Sequence, residues 1–339
     1  MKVKLFILLS ILFLFNAEAQ VSKKICVAFY NQENLFDTLD TPNKDDAEFL
    51  PNGTYQWNSE KYLNKLRNMS EVIAAINAGK GPDFLGLCEV ENDIAVNGLV
   101  QTLAQKKLNY QMIWFDSKDE RGIDNALIYK KEHVKKANGY IFDINPDSIG
   151  GSITRGILMA DFTLQNNSRL VILVNHWPSR RGGEAESEAK RIFVAKRVKE
   201  ISDSLQKKDP KVHLLLMGDF NDYPTNASIT QYLQAKESIK ETGKNQFYNP
   251  MFALLKEGKG SYKHKGEWNF LDQLMLNQNL VSGKSNLTYE PQSANVFKEE
   301  WMLETEEKYK GNPRRTFGGK KYLNGYSDHL PVYLNLILK

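Results

Sequence analysis

The chain has 339 residues, 41% hydrophobic and 25% charged, with only two cysteines. That length and balance exclude a disulfide-stapled mini-protein, a disordered or collagenous chain and a coiled coil, and fit one large or two ordinary domains. The formal charge of +4, from 45 basic and 41 acidic residues spread along the chain, permits a polyanionic partner without demanding one.

Lys2 and Lys4 precede an apolar run over residues 5–15, and Ala17-Glu18-Ala19 puts small residues at the −3 and −1 positions of a cleavage site before Gln20. Residues 1–19 are therefore predicted to be a secretory signal peptide; the apolar run is shorter than the ~20 residues that span a bilayer. An uncleaved membrane anchor is the rival reading. Cleavage removes Lys2, Lys4 and Glu18, which takes the charge from +4 to +3. The mature chain, 20–339, is expected to be secreted or periplasmic, with no stable membrane association. No cysteine follows the apolar run where a lipid anchor would need one.

Residues 24–30 read as an apolar strand ending at Asn31. Leu63, Leu66, Met69, Val72, Ile73 and Ile76 recur at helical spacing and predict a helix capped by Asn58 or Ser59 and stopped by Gly79. Gly81-Pro82 turns the chain into a strand over 83–88, and a second helix is expected over 98–107. Strands follow over 110–115, 125–130, 157–163 and 170–175. The longest helix is predicted over 184–205, with Ala185, Ala189, Ile192, Phe193, Ala195, Val198, Ile201 and Leu205 on its apolar side. It feeds a strand over 212–217, and later strands are expected near 272–276 and 331–338. Residues 284–326 are polar, show little periodicity and read as a long surface loop of the kind that carries function. Strands and helices mixed end to end, with no Pro/Gly/Ser linker, argue for a single α/β domain.

Export permits a disulfide between Cys26 and Cys88. With Asn31 and Glu89 side by side at strand ends, Cys26 lies about 16 Å from the level of Cys88, beyond the ~7 Å that a bridge allows. Two buried free thiols are predicted.

Each apolar strand ends in residues that bind metal or move protons. Asn31 and Glu33 follow the first, Glu89 the second, Asn175-His176 the strand over 170–175, and Asp219 and Asn221 the strand over 212–217. Asp272 and Asp328-His329 precede the last two strands. Strand ends on one edge of an α/β sheet converge to form a site. Taken singly, each has a bland reading: Asn31 a turn residue, Glu89 a solvated strand end, His176 a packing histidine, the Asp219 segment a turn, Asp328 a cap. Their order and spacing together overturn those readings.

Six segments carry a family resemblance: Tyr30-Asn31-Gln32-Glu33-Asn34-Leu35-Phe36, Leu85-Gly86-Leu87-Cys88-Glu89, Asn175-His176-Trp177, Gly218-Asp219-Phe220-Asn221-Asp222, Leu271-Asp272-Gln273 and Ser327-Asp328-His329-Leu330-Pro331. In this order they resemble the endonuclease/exonuclease/phosphatase superfamily across the mature chain. Residues 121–127 and 177–183 look like its secreted bacterial branch. The resemblance implies a four-layer α-β-β-α sandwich of two packed, mostly antiparallel sheets. It implies a phosphodiester hydrolase using Mg2+, with Mn2+ or Ca2+ as alternatives. Asn31, Glu89 and Asp328 would be the metal's oxygen ligands, a set that suits a hard cation, and no Cys/His cluster has zinc spacing. By the same resemblance Asp219 aligns the attacking water and Asn221 bonds that water or a nonbridging oxygen. His329 binds the phosphate, Asp272 orients His329, and His176 stabilises the phosphate or protonates the leaving oxygen. The acidic partner of His176 stays open among Asp119, Glu120 and Asp124. Arg155, Arg180 with its neighbour Arg181, and Arg315 with Arg314 are candidate phosphate contacts; plain solubility charges are the alternative.

Three functions fit. The first is a nuclease acting on DNA or RNA. The second is a phosphoesterase of the same fold acting on a phospholipid headgroup, an inositol phosphate or a small phosphodiester; no strongly apolar loop supports the lipid version. The third is a catalytically silent binding protein, which the presence of Glu89, Asp219 and His329 disfavours.

Overall fold

The computed structural model describes residues 22–145 and 154–339, so the predicted signal peptide over 1–19 lies outside the described residues. The chain runs from β1 (Lys23–Leu35) through α1 (Ser59–Gly79) to β2 (Phe84–Val90) and α2 (Asp93–Gln105). Five strands follow: β3 (Gln111–Trp114), β4 (Asp124–Tyr129), β5 (Val134–Ile144), β6 (Thr154–Leu164) and β7 (Arg169–His176). α3 (Glu184–Lys208) leads into β8 (His213–Asp219). Short strands β9 (Ala235–Lys236), β10 (Phe247–Tyr248), β11 (Tyr262–His264) and β12 (Glu267–Asn269) precede β13 (Asp272–Asn277). The last part adds β14 (Leu287–Tyr289), β15 (Asn295–Val296), β16 (Phe317–Gly318), β17 (Lys321–Tyr322) and β18 (Val332–Leu338).

Among the described residues the strands build two seven-stranded sheets, one in the order β14-β18-β1-β2-β4-β3 with β15 also on β18, the other in the order β5-β6-β7-β8-β13-β10-β9. Pairing is antiparallel except at β1–β2, β7–β8 and β9–β10. β1 shows why both sheets sit in the middle: Ile25, Val27 and Phe29 join the core between the sheets, while Ala28 and Tyr30 join the core under the helices. With both faces covered, the strand reads as a continuous apolar run. Leu66, Met69 and Ile73 of α1 and Leu99 of α2 cover the first sheet; Val194, Val198 and Ile201 of α3 cover the second. The expected four-layer sandwich is the observed fold.

Local departures have physical causes. β1 continues five residues past Tyr30, with a register irregularity between Asn31 and Leu35 that swings its end. α2 starts at Asp93 because the Asn92 side chain caps it, accepting from Ala95 N. β5 was not expected: it is an edge strand whose Lys135, Lys136, Asn138 and Tyr140 are exposed. Residues 284–326 are not a surface loop throughout, since Leu287 and Tyr289 are buried in a strand paired to β18. The buried face of α3 also differs: Ala185 and Ala189 are exposed, while Arg191 is fully buried with its Nε 2.7 Å from Asp222 Oδ1. Asn31 pairs in register with Cys88, which leaves Cys26 five residues down β1; both cysteines are free and buried, as predicted.

The two sheets close on each other at Gly86, where an added Cβ would collide with Met217 Sδ and press on Phe29. Gly86→Val is expected to cost about 1–3 kcal/mol by overpacking, measured as a lower urea midpoint. Combined with Met217→Ala, the loss should be smaller than the sum of the two single changes. A midpoint equal to wild type for Gly86→Val would refute this account of the sheet contact.

Candidate active site

Strand register assembles the ionisable groups. In the parallel β7–β8 pair His176 lies opposite Asp219, and in the antiparallel β8–β13 pair Asp219 lies opposite Asp272. Three ionisable side chains therefore stand in a row across three neighbouring strands. Gly218 makes the row tight: its φ is +156°, and a Cβ there would run into the Asn175 carbonyl. The chain after β8 is then fixed locally, with Asn221 N donating to Asp219 Oδ1 (2.9 Å) and Asn221 Nδ2 to the Trp177 carbonyl (3.0 Å).

His329 enters from the turn before β18. Ser327 Oγ donates to the Asn31 carbonyl (2.8 Å) and accepts from His329 N (3.1 Å), which explains the serine of the Ser-Asp-His segment. The imidazole Nδ1 is 2.7 Å from Asp272 Oδ2, and its Nε2 lies 4.0 Å from Asp219 Oδ2 and 3.9 Å from Asp328 Oδ1. Tyr262 packs on the ring at 4.9 Å.

The first sheet supplies the facing side. Asn31 Nδ2 donates to Glu89 Oε1 (3.3 Å) and, across to the other sheet, to Asp219 Oδ2 (3.1 Å). Glu89 Oε2 accepts from Asn34 N at 3.1 Å. His176 Nε2 is 3.7 Å from Glu89 Oε1 and 3.8 Å from Asp219 Oδ2. Glu33, Asn34, Glu89 and Asn221 all have positive φ, between 48° and 60°. Such backbone is costly for non-glycine residues and clusters at functional sites.

Burial and neighbours set the charges. Burial pushes the Asp219 carboxyl up to about 7, against the pull of the His329 cation. His329 resists its own burial because Asp272, Asp328 and Asp219 surround it, and its pKa stands well above the ordinary imidazole value. His176 goes the other way: burial, then the Arg155, Arg121 and His329 cations, hold it well below that value. One imidazole is thus charged and the other neutral.

A cavity of about 330 Å³ opens beside this cluster, lined by Glu33, Asn34, Glu89, Arg121, Arg315 and Asp328 together with aromatic rings. A neighbouring cleft of about 300 Å³ shares Arg121 and adds Arg155, Arg181 and Lys190 together with Asp119 and Glu120. A larger cavity of about 780 Å³ around Arg169 and His213 lies at the opposite ends of β7 and β8, and His176, Asp219, Asp272 and His329 do not line it.

The donor set fits a hard divalent cation. Glu89 and Asp328 present carboxylates to one cavity, with Glu33 at its wall, and such oxygens suit magnesium. Asn31 Oδ1 accepts from Glu33 N at 2.8 Å and keeps a second lone pair for a cation. Ligating atoms of Asp219, Asp272 and His329 lie within 4.8 Å of one another, as do those of Cys88, His176 and Asp219. The Cys88 thiol is pushed up by burial and stays protonated, a poor ligand.

The arginines divide. Arg315 reaches the cavity, bonding Asp328 Oδ2 (2.8 Å) and Glu33 Oε1 (3.2 Å). Arg155 is buried beside His176, with Nη2 on the Trp177 carbonyl (2.7 Å) and Nη1 3.5 Å from Asp119. Arg180 is held by the protein: Nε on the Asn221 carbonyl (2.8 Å), Nη2 on Asp222 and Asn226, and its plane 3.9 Å over Tyr223. It fixes the Asn221 turn, and Arg181 lines the cleft in its place. None of the three candidate acids bonds His176. Asp119 faces Arg155, Asp124 accepts from Ser117 N, and Glu120 is exposed.

Residues 26–338 match the Endonuclease/Exonuclease/phosphatase family. No curated protein matches the chain. Among solved structures it is similar to an endonuclease/exonuclease/phosphatase family protein from Bacteroides thetaiotaomicron, with TM-score 0.53 and 13% identity over 94% of this chain and 99% of that one. It is similar to D. rerio TDP2 complexed with single strand DNA product, with TM-score 0.51 and 15% identity over 92% and 98% of the two chains. A Bacteroides thetaiotaomicron mannosyl-6-phosphatase gives TM-score 0.52 and 14% identity over 92% and 99%. At these identities the likeness establishes the fold.

Beneath the cavity lies a support that sequence reading missed. Lys65 of α1 is 1% exposed, and its Nζ donates to Thr316 Oγ1 and the Tyr326 carbonyl, both at 2.6 Å. Thr316 N in turn donates to Glu33 Oε2 at 2.6 Å, next to the Arg315 contact. The only sequence signal was a lysine at a position of α1 adjoining Leu66 on the apolar face. Lys65→Met is expected to cost about 1–3 kcal/mol through the unpaired groups it leaves and to lower kcat/KM by loosening Arg315. Urea melts and phosphoesterase assays check both; a midpoint and a rate equal to wild type would show that the segment is held without it.

Proposed function

The chain belongs to the endonuclease/exonuclease/phosphatase family, whose members hydrolyse phosphate esters and generally use divalent metal ions; on that premise we propose that it is an exported, magnesium-dependent phosphodiesterase that cleaves nucleic acid. The observation that carries this reading is the register row of His176, Asp219 and Asp272, closed by the His329–Asp272 bond at a cavity that Glu89 and Asp328 line.

Asp219, near 7 through burial, is placed to take the proton of an attacking water. The Asn221 carboxamide, anchored through Nδ2 on Trp177, leaves its Oδ1 to orient that water. As the water oxygen bonds phosphorus, charge grows on the nonbridging oxygens and the ester P–O bond opposite breaks, its electron pair going to the departing oxygen, which takes a proton from water and leaves as an alcohol. His329, a cation oriented by Asp272, meets that charge directly. His176, neutral, donates a hydrogen bond to the same phosphate group. A divalent cation held by Glu89 and Asp328 would supply further neutralisation of phosphate charge.

Nucleic acid is favoured over other esters by the excess of cations in the neighbouring cleft, where Arg121, Arg155, Arg181 and Lys190 stand against Asp119 and Glu120, a balance that suits a second phosphate of a polymer. The TDP2 structure with single strand DNA product supports the same substrate class. The mannosyl-6-phosphatase neighbour supports a second reading, a small phosphate ester.

An assay panel with magnesium or EDTA separates these readings: plasmid DNA, RNA, sphingomyelin, inositol phosphates, mannose 6-phosphate and bis-p-nitrophenyl phosphate. Degradation of plasmid or RNA with magnesium and none with EDTA is expected. Intact nucleic acid alongside rapid turnover of a sugar or inositol phosphate would favour the second reading. Asp219→Ala and His329→Ala should each lower turnover by at least about a hundredfold; a variant keeping most of its activity removes that residue from the mechanism. For export, the mass of the protein recovered from periplasm or medium should correspond to a chain starting at Gln20, and an intact Met1 would count against it.

A further inference from the structure

No acid bonds Nδ1 of His176, and the polar atoms buried around that nitrogen complement one another. The neutral imidazole has one nitrogen that donates and one that accepts. Nε2 faces two acceptors, Glu89 Oε1 at 3.7 Å and Asp219 Oδ2 at 3.8 Å, so the hydrogen belongs on Nε2 and Nδ1 is left to accept. Nδ1 is buried with no partner in the protein, and so are Asn125 Oδ1 and Arg155 Nε. The three residues are 4%, 2% and 8% exposed, and buried polar atoms without a partner are costly.

Three strands bring them to one place. Asn125 lies opposite Cys88 in the β2–β4 pair, which sets the two side chains about 5 Å apart on one face. Cys88 Sγ is in turn within 4.8 Å of a ring nitrogen of His176. Asn125 Nδ2 donates to the Gly156 carbonyl of the other sheet at 2.8 Å. Leu158 pairs with Val174 between β6 and β7, and the same register carried two residues further puts Gly156 beside His176. Arg155 precedes Gly156, and its Nη2 bonds the carbonyl of Trp177, the residue after His176, at 2.7 Å.

Their hydrogen-bonding roles decide how they are joined. A carbonyl only accepts, so the bond to Gly156 fixes the Asn125 amide and leaves Oδ1 as an acceptor. Nδ1 and Oδ1 are then both acceptors and cannot bond each other, while Arg155 Nε carries a single hydrogen. One water molecule donates to both acceptors and accepts from Nε, and three hydrogen bonds are typical of a buried water.

We propose that one buried water, held by Asn125 Oδ1 and Arg155 Nε, donates to His176 Nδ1 and fixes the tautomer that presents Nε2–H at the cavity. Asn125 and Arg155 are thus positioning residues that do for His176 what Asp272 does for His329. Their bearing on turnover rests on the phosphodiesterase reading above; the water and the tautomer do not.

The test uses 15N-histidine-labelled protein and two-bond 15N–1H spectra at neutral pH, the His176 signals being those lost in His176→Gln. Wild type should show the Nε2–H tautomer, with Nδ1 shifted as a hydrogen-bonded acceptor, and a high-resolution crystal structure should show a water in contact with all three atoms. Asn125→Leu should move the Nδ1 signal to that of an acceptor without a hydrogen bond and lower kcat about tenfold, the worth of one such bond, with KM little changed. Asn125→Asp, which keeps an acceptor for the water, should restore the signal. The Nδ1–H tautomer in wild type overturns the proposal, as does a crystal structure without that water or an Nδ1 signal that Asn125→Leu leaves in place. If Asn125→Leu does not fold, the wild-type spectrum and crystal structure decide. A wild-type protein with the water and the tautomer but no phosphodiesterase activity overturns the reaction reading alone.

Discussion

Three neighbouring strands end level with one another, and that register forces two carboxylates and an imidazole into a buried row at the edge of one sheet. Water cannot screen the row, so its repulsion has to be met by fixed groups. Asn31 meets part of it from the opposite sheet through Nδ2 on both Asp219 and Glu89, and His329 meets the rest through Asp272. The site is therefore stable only while the two sheets stay packed face to face, which is why the contact of Gly86 with Met217 bears on chemistry some distance away. The strained backbone at Glu33, Asn34, Glu89 and Asn221 is another cost of the same arrangement. Buried hydrogen bonds from Ser327, Thr316 and Arg180 hold those turns in place.

The two histidines show how environment overrides residue type. His329 has carboxylates on several sides and stays a cation despite burial. His176 stays neutral because it is buried, with Arg155 and Arg121 near it. Between them Asp219 is raised to about 7. Groups of like type pushed to different protonation states is how a single cavity holds a base, a fixed cation and a neutral donor at one pH.

Much of this was legible in the sequence, and the parts that were not share a cause. Glu89, His176 and Asp219 were visible because an apolar run followed by an ionisable residue is a one-dimensional signal, and Asn31 and Asp272 because a polar residue adjoins such a run. Both long helices were visible through their spacing. Arg191 and Lys65 were hidden, because a charged residue on a helix reads as solvated until its buried partner is known: Asp222 for the first, Thr316 and the Tyr326 carbonyl for the second. β5 was hidden because an edge strand exposes one face and tolerates Lys135, Lys136 and Asn138. The strands within 284–326 are only two or three residues long, and their order comes from pairing with β18 and from ring contacts with residues more than two hundred positions away. Local patterns carry no trace of such partners.

Net charge illustrates the same limit. The excess of four bases over the whole chain says little about the cavity, because several cations are matched within the fold: Arg180 and Arg191 on Asp222, Arg169 on Asp161 and Asp209. The charge of the cleft is set by the few that line it, Arg121, Arg155, Arg181 and Lys190 beside Asp119 and Glu120. Arg121, Arg181 and Lys190 sit on segments between strands, whereas His176, Asp219 and Asp272 sit at strand ends fixed by register. The ionisable row and the walls of the cavity are thus built by different physical parts. A change in residues 36–57 or 313–326 alters the cavity without shifting the row, because strand pairing sets the row and loops set the walls.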